Sequence, residues 1–240
     1  MDYDSNEDQE LSHQISHKFM GGVYHAVTEN MTLLILLRHG ESVWNAANLF
    51  TGWEDVDLSD EGIKEVTATA EMLSDMPIDV VFTSELLRAQ RTASIVMEGH
   101  SSGRCLTFGK EMEEAILART DWRLNERNYG DLQGLNKDVT RAKYGAEQVH
   151  IWRRSFDVPP PGGESLGMIA ERTIPCFTEL ILPELEAGKN VLVTAHGNSL
   201  RSIVMHIDGL SPEQVRHLEI PTGTPIFYTL EAGSLKPTEA

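Results

Sequence analysis

The sequence predicts an α/β fold: a mostly parallel central sheet with helices on both faces. Three observations carry this reading. Short, wholly apolar runs alternate along the chain with longer helix-like stretches. The apolar runs lack polar residues at every second position, so both sides of each strand must be covered. Two of the runs end in a His-Gly pair just before a helix, the place where open parallel sheets gather their ligands.

Each element has a local reason. TLLILL at residues 32–37 reads as the first buried strand. Residues 58–76 read as a helix that Ser59 can cap, with Asp60 and Glu61 at its positive end. DVVFTS at 79–84 is a second strand, and residues 85–97 are a second helix. A long helical stretch, 164–188, contains Pro175, which is expected to bend it. NVLVTA at 190–195 is a third strand, 198–209 a helix closed by Gly209, and 224–231 a final strand. Residues 110–163 are more polar and less regular, and are expected to form a smaller insertion over one end of the sheet. Residues 99–122 read as a surface excursion.

Residues 1–30 hold six acids against one base, Lys18, and show no clear periodicity. They are expected to be a disordered acidic extension, with a single folded domain over 31–240. The formal net charge of −17 argues against nucleic-acid partners and against acidic membrane surfaces. It leaves room for a small anionic ligand in a locally positive pocket. Cys105 and Cys176 lack metal-type spacing and read as free thiols of a reducing compartment. No apolar run approaches the roughly 20 residues that span a bilayer, and no basic start precedes an apolar core. The expected setting is cytoplasmic, and no metal is expected.

Three strand ends carry related chemistry: Arg38-His39-Gly40, then Thr83-Ser84 with Arg88 one turn on, then His196-Gly197-Asn198. Any one alone is an ordinary surface or core feature. Together they suit a phosphoryl group. Backbone N–H groups at a helix start favour an anion, arginine matches phosphate oxygens, and histidine can act as a neutral nucleophile near pH 7. With His39 as nucleophile, Arg38, Arg88 and His196 could surround the equatorial oxygens of a loose, in-line transition state. Such a reaction needs a proton donor for the leaving oxygen. Glu126 in LNERNYGDLQG is the first candidate, since a neighbouring phosphate raises a carboxyl pKa, and Glu41, Asp121 and Asp131 are lesser ones. The four tryptophans read as packing residues.

Six further stretches accompany LLRHGESVWN (36–45): NLFTGWEDVDLSDEG (48–62), TSELLRAQRT (83–92), LNERNYGDLQGLNK (124–137), WRRSFDVPPP (152–161), AHGNSLR (195–201) and IPTGTPIFY (220–228). With them the chain resembles, from about Thr32 to about Leu230, the cofactor-dependent phosphoglycerate mutases of the histidine phosphatase superfamily. The resemblance implies interconversion of 3-phosphoglycerate and 2-phosphoglycerate in glycolysis and gluconeogenesis. It implies a phosphohistidine at His39, with 2,3-bisphosphoglycerate as primer and intermediate. Arg38, Arg88 and His196 would hold the phosphoryl group, with Asn45, Gly197 and Asn198 beside it. Glu126 would donate and accept the proton. Thr51 and Gly52 would present backbone groups, and Tyr129, Lys137, Arg153 and Arg154 would receive the carboxylate or the second phosphate. A phosphatase of the same superfamily, or a bisphosphoglycerate synthase, is the alternative.

The direct join VPPPGGESL (158–166) marks the short-loop form of the family. A homo-oligomer is compatible with the resemblance, but packing contacts associated with the longer loop would be missing. The tail LEAGSLKPTEA is short for a segment that covers the active site in the family.

Overall fold

The computed structural model describes residues 32–238; the expected extension over 1–30 lies outside them. Its centre is a seven-stranded sheet in the order β3-β4-β2-β5-β1-β6-β7. The strands are β1 (Thr32–Arg38), β2 (Val80–Thr83), β3 (Leu106–Phe108), β4 (Ile116–Thr120), β5 (Val191–Ala195), β6 (Pro225–Glu231) and β7 (Ser234–Pro237). The first five in the spatial order run parallel, and β6 and β7 add an antiparallel edge. The mostly parallel α/β fold expected from the sequence is therefore the one observed. Among the described residues no helix is long and apolar enough to cross a membrane.

The continuous apolar character of β1 follows from burial on both faces. Leu34 and Leu36 enter one core with Phe177, Leu200 and Ile203, while Leu33, Ile35 and Leu37 enter the other with Val66, Leu73 and Val96. Each such buried side chain contributes about 1.5–3 kcal/mol. The second core is covered by α2 (Asp60–Leu73) and α3 (Leu87–Glu98), which pack on each other. Ser59 caps α2 through the Gly62 N–H, as its sequence position suggests. The first core is covered by α6 (Leu166–Cys176) and α8 (Gly197–Asp208). Before them come the short α1 (Val43–Ala46), then α4 (Lys137–Tyr144) and α5 (Ala146–Arg154). Helix α7 (Leu182–Glu186) precedes β5, and α9 (Pro212–His217) precedes β6.

Two expectations need correction. Residues 99–122 are not a surface excursion: they supply β3 and β4, which extend the sheet at its edge. Residues 110–163 are accordingly not all insertion, because Ile116–Thr120 pairs with β2 and the less regular layer starts after it. The alternation in ILART is short and its last two residues are exposed, so it lacks the apolar run that marks the inner strands. The stretch 164–188 is helical as expected, with an irregular turn after Pro175. Pro175 lies in the last turn of α6, a π-helical turn follows over Phe177–Ile181, and Pro183 opens α7. Proline removes an N–H from the helical ladder, and the change from α to π spacing falls between the two prolines.

Register aligns the strand ends that matter. Arg38 pairs with Ala195 across β1 and β5, and Thr83 pairs with Thr194 across β2 and β5. The His39 N–H donates to the Ala195 carbonyl at 3.1 Å. The three chemistry-bearing turns therefore emerge side by side. Gly40 and Gly62 let the first turn lie against α2: a Cβ on Gly40 would stand 2.4 Å from the Gly62 carbonyl oxygen.

Candidate active site

His39 is 2% exposed, and its Nδ1 lies 2.6 Å from the Gly40 carbonyl. A carbonyl only accepts, so Nδ1 carries the proton and Nε2 holds the lone pair. Burial, then the Arg88 and Arg38 charges, keep the ring's pKa well below the usual histidine range. His39 is thus a neutral imidazole with a basic nitrogen at neutral pH. The His196 ring centroid lies 4.9 Å away, with the planes tilted by 59°. Burial and the Arg88 charge lower its pKa as well. Its Nε2 contacts the Ser84 Oγ at 2.8 Å, and its buried Nδ1 has no partner.

Two arginines complete this inner end. Arg88 is fully buried, and its Nη1 and Nη2 donate to the Glu54 and Gly52 carbonyls at 3.0 and 2.8 Å. Burial brings its pKa down to about 10, so it stays cationic. Arg38 Nη1 donates to the Ile220 carbonyl at 2.7 Å. The Nε atoms of both arginines, the Thr51 Oγ1 and the His196 Nδ1 are buried and unpartnered. Unsatisfied buried donors are costly, and their convergence here fits an anionic phosphoryl group.

Glu126 sits in the loop between the 3-10 turns at Trp122–Leu124 and Gly130–Leu132. Its Oε1 accepts from the Arg127 N–H at 2.7 Å and from Asn198 Nδ2 at 2.8 Å. Asn198 Oδ1 accepts from Arg127 and Arg201, both at 3.2 Å, which turns its amide donor toward Glu126. Both donors reach Oε1, so Oε2 is the oxygen they leave open. The backbone of the loop is held as firmly. The Glu126 carbonyl accepts from Trp53 Nε1 at 2.6 Å and from Arg172 Nη2 at 3.0 Å. Arg172 in turn forms a two-pronged pair with Glu164, both bonds at 2.9 Å.

The cleft is a cavity of about 120 Å³. It is lined by Arg38, His39, Asn45, Thr51, Gly52, Arg88, Glu126, Tyr129, Lys137, Arg153, Arg154, Gly197 and Asn198, among others. The structure therefore brings together the residues singled out in the sequence, with His196 directly behind them. Lys137 at the start of α4 has its pKa lowered to about 8 by burial and by the Arg153 charge. Burial also lowers that of Arg153. This is a local concentration of positive charge in a chain of net −17.

Further details refine the lining. The Gly52 carbonyl holds Arg88, which leaves N–H groups as the backbone groups suited to an anion. Thr51 adds a buried, unpartnered hydroxyl. Gly52 itself has φ +62°, and a Cβ there would stand 2.1 Å from Gln133 Oε1. Asn45 Oδ1 accepts from the Ser42 hydroxyl at 2.9 Å, so its Nδ2 is the end suited to phosphate oxygens. Of the lesser acids, Glu41 accepts from Ser59 beside the start of α2, and Asp121 is paired with Arg123; neither lines the cleft, and nor does Asp131. Sequence reasoning missed Arg127, Arg201, Arg172, Glu164 and Glu219. The first two lie inside motifs already singled out, and Arg201 falls one helical turn after Gly197.

The comparisons agree with this geometry. The family model for the histidine phosphatase superfamily (branch 1) matches residues 34–235. A 2,3-bisphosphoglycerate-dependent phosphoglycerate mutase of Protochlamydia amoebophila is 50% identical over 82% of this chain and 95% of its own. The Arabidopsis thaliana 2,3-bisphosphoglycerate-dependent phosphoglycerate mutase 1 is 47% identical over 88% of this chain and 70% of its own. A native structure of a mycobacterial glucosyl-3-phosphoglycerate phosphatase shares the fold, with TM-score 0.71 and 25% identity over 86% of this chain and 97% of that one. This chain belongs to the histidine phosphatase superfamily and, within it, to the 2,3-bisphosphoglycerate-dependent phosphoglycerate mutase family.

Proposed function

We propose that this protein interconverts 3-phosphoglycerate and 2-phosphoglycerate through a phosphohistidine at His39, primed by 2,3-bisphosphoglycerate. The observation that carries the reading is the neutral, buried His39, whose free Nε2 stands among unpartnered donors in a cationic cleft. Its name-bearing relatives at 47–50% identity support the same reading. His39 Nε2 forms a bond to phosphorus as the bond to the leaving oxygen breaks, and Glu126 gives that oxygen its proton. In the return step a substrate hydroxyl loses its proton to Glu126 and takes the phosphoryl group from His39. Arg38, Arg88, His196, Asn45 and the α8 start at Gly197 hold the phosphoryl oxygens, and Arg88 stays charged throughout. Lys137, Arg153, Arg154 and Tyr129 hold the other anionic group. The primer fits a site with two sets of cations in one cleft. The reaction belongs to glycolysis and gluconeogenesis, and a cytoplasmic setting follows from it.

The test supplies 3-phosphoglycerate with and without trace 2,3-bisphosphoglycerate and follows 2-phosphoglycerate and free phosphate together. Isomerisation that depends on the bisphosphate, with little free phosphate, is the expected result. Phosphate release without isomerisation would reassign the protein as a hydrolase.

A further inference from the structure

The cleft that gathers cations also contains a carboxylate that the reaction does not use. Glu219 lines it just after α9, between Leu218 and Ile220. Its Oε1 pairs with Arg154 Nη2, and its Oε2 lies 3.3 Å from Arg201 Nη2. One carboxylate thus bridges two guanidinium groups. Arg154 Nη1 remains buried and unpartnered beside it.

The three partners differ in freedom. The Arg201 side chain is 10% exposed and is held by the Leu218 carbonyl at 2.6 Å and by Asn198. The Glu219 side chain is 50% exposed and, among the described residues, pairs with its two arginines. The backbone on either side is tied down, since the Leu218 carbonyl serves Arg201 and the Ile220 carbonyl serves Arg38. The element able to leave is the Glu219 side chain, by rotation, without moving the chain that carries it.

We propose that Glu219 is a resident counter-ion standing where an anionic group of the substrate binds. Substrate entry is then an exchange of partners at Arg154 and Arg201. Without an anion, two partly desolvated arginines would face each other; with Glu219 they are neutralised until a carboxylate or phosphate replaces it. Glu219 is a specificity-determining residue in this account. It weakens the capture of any single anion and favours a ligand with enough charge to displace it. The inference rests on the phosphoglycerate reading of the cleft.

The experiment compares wild type with Glu219→Gln, which keeps the shape and removes the charge. KM for 3-phosphoglycerate should fall about three- to tenfold at low ionic strength, since half-exposed pairs are partly screened. Turnover should hold within about twofold, because the Leu218 carbonyl still anchors Arg201, which keeps Asn198 on Glu126. Calorimetry with inorganic sulfate, which needs no turnover, should show its Kd falling in the same proportion. Glu219→Asp keeps the charge but is too short to bridge both arginines, and should give the same shift in smaller measure should the glutamine variant fail to fold. A KM and a sulfate Kd that stay level or rise would overturn the proposal. Absence of bisphosphate-dependent isomerisation in wild type would instead sink the phosphoglycerate reading, and the sulfate arm would still decide the role of Glu219.

Discussion

The two halves of the cleft gather positive charge by different means. The inner half, with Arg38, His39, Arg88 and His196, is built on the ends and following turns of β1, β2 and β5, and His39, Arg88 and His196 are almost fully buried. Arg38 is the partly exposed member, yet it too is locked to backbone: the arginines donate to the carbonyls of Ile220, Gly52 and Glu54. The outer half, with Lys137, Arg153 and Arg154, is built on α4 and α5 of the irregular layer and is partly exposed. There the counter-charge is a side chain, Glu219, not a fixed carbonyl. The lesson is a division of labour. Rigid backbone partners suit charge that develops only in the transition state, whereas exchangeable side-chain partners suit ground-state capture and release.

The sharpest break of this comparison is His39→Ala. It should abolish labelling by bisphosphoglycerate and lower turnover by about 10⁴-fold or more, read by phosphoprotein assay and coupled kinetics. Next comes a matched pair. Arg88→Met should lower kcat by about 10²–10³-fold, and Arg153→Met should act mainly by raising KM by about 10-fold. Equal effects on kcat from the two would erase the distinction between the halves.

Two smaller effects come from pH. The pKa of His39 is depressed, so its neutral form persists as pH falls below the usual histidine range. The rate of its phosphorylation should hold from pH 7.5 to pH 6, where an unperturbed histidine would lose about three-quarters of its neutral form. A matching loss would show that burial and Arg88 do not act as described. Lys137 is the opposite case: with a pKa of about 8 its cation is lost as pH rises through that value. KM for 3-phosphoglycerate should climb above pH 8, by up to about tenfold per pH unit, and Lys137→Arg should remove the climb.

The same division explains what could be read in the sequence. The inner half was legible because strand ends, glycine turns and helix starts carry local signals, and β1, β2 and β5 are apolar runs. The outer cations were legible only through resemblance, since Arg153-Arg154 alone reads as a solvated helix face. Residues that work by supporting others escaped altogether. Arg172 touches the Glu126 carbonyl across 46 positions, and no periodicity announces such a contact. The half-exposed strands β3 and β4 escaped for a related reason, because partial burial leaves a mixed pattern that resembles a loop.

The pairing of Arg38 with Ala195 has a consequence for how the protein is made. The bond from the His39 N–H to the Ala195 carbonyl joins chain segments more than 150 residues apart, and β5 can pair with β1 only after nearly the whole domain has been synthesised. A ribosome-bound chain that has yet to release β5 holds one histidine without the other. Closing so long a loop is a late and slow step, so phosphoryl transfer should appear together with the completed sheet and not before.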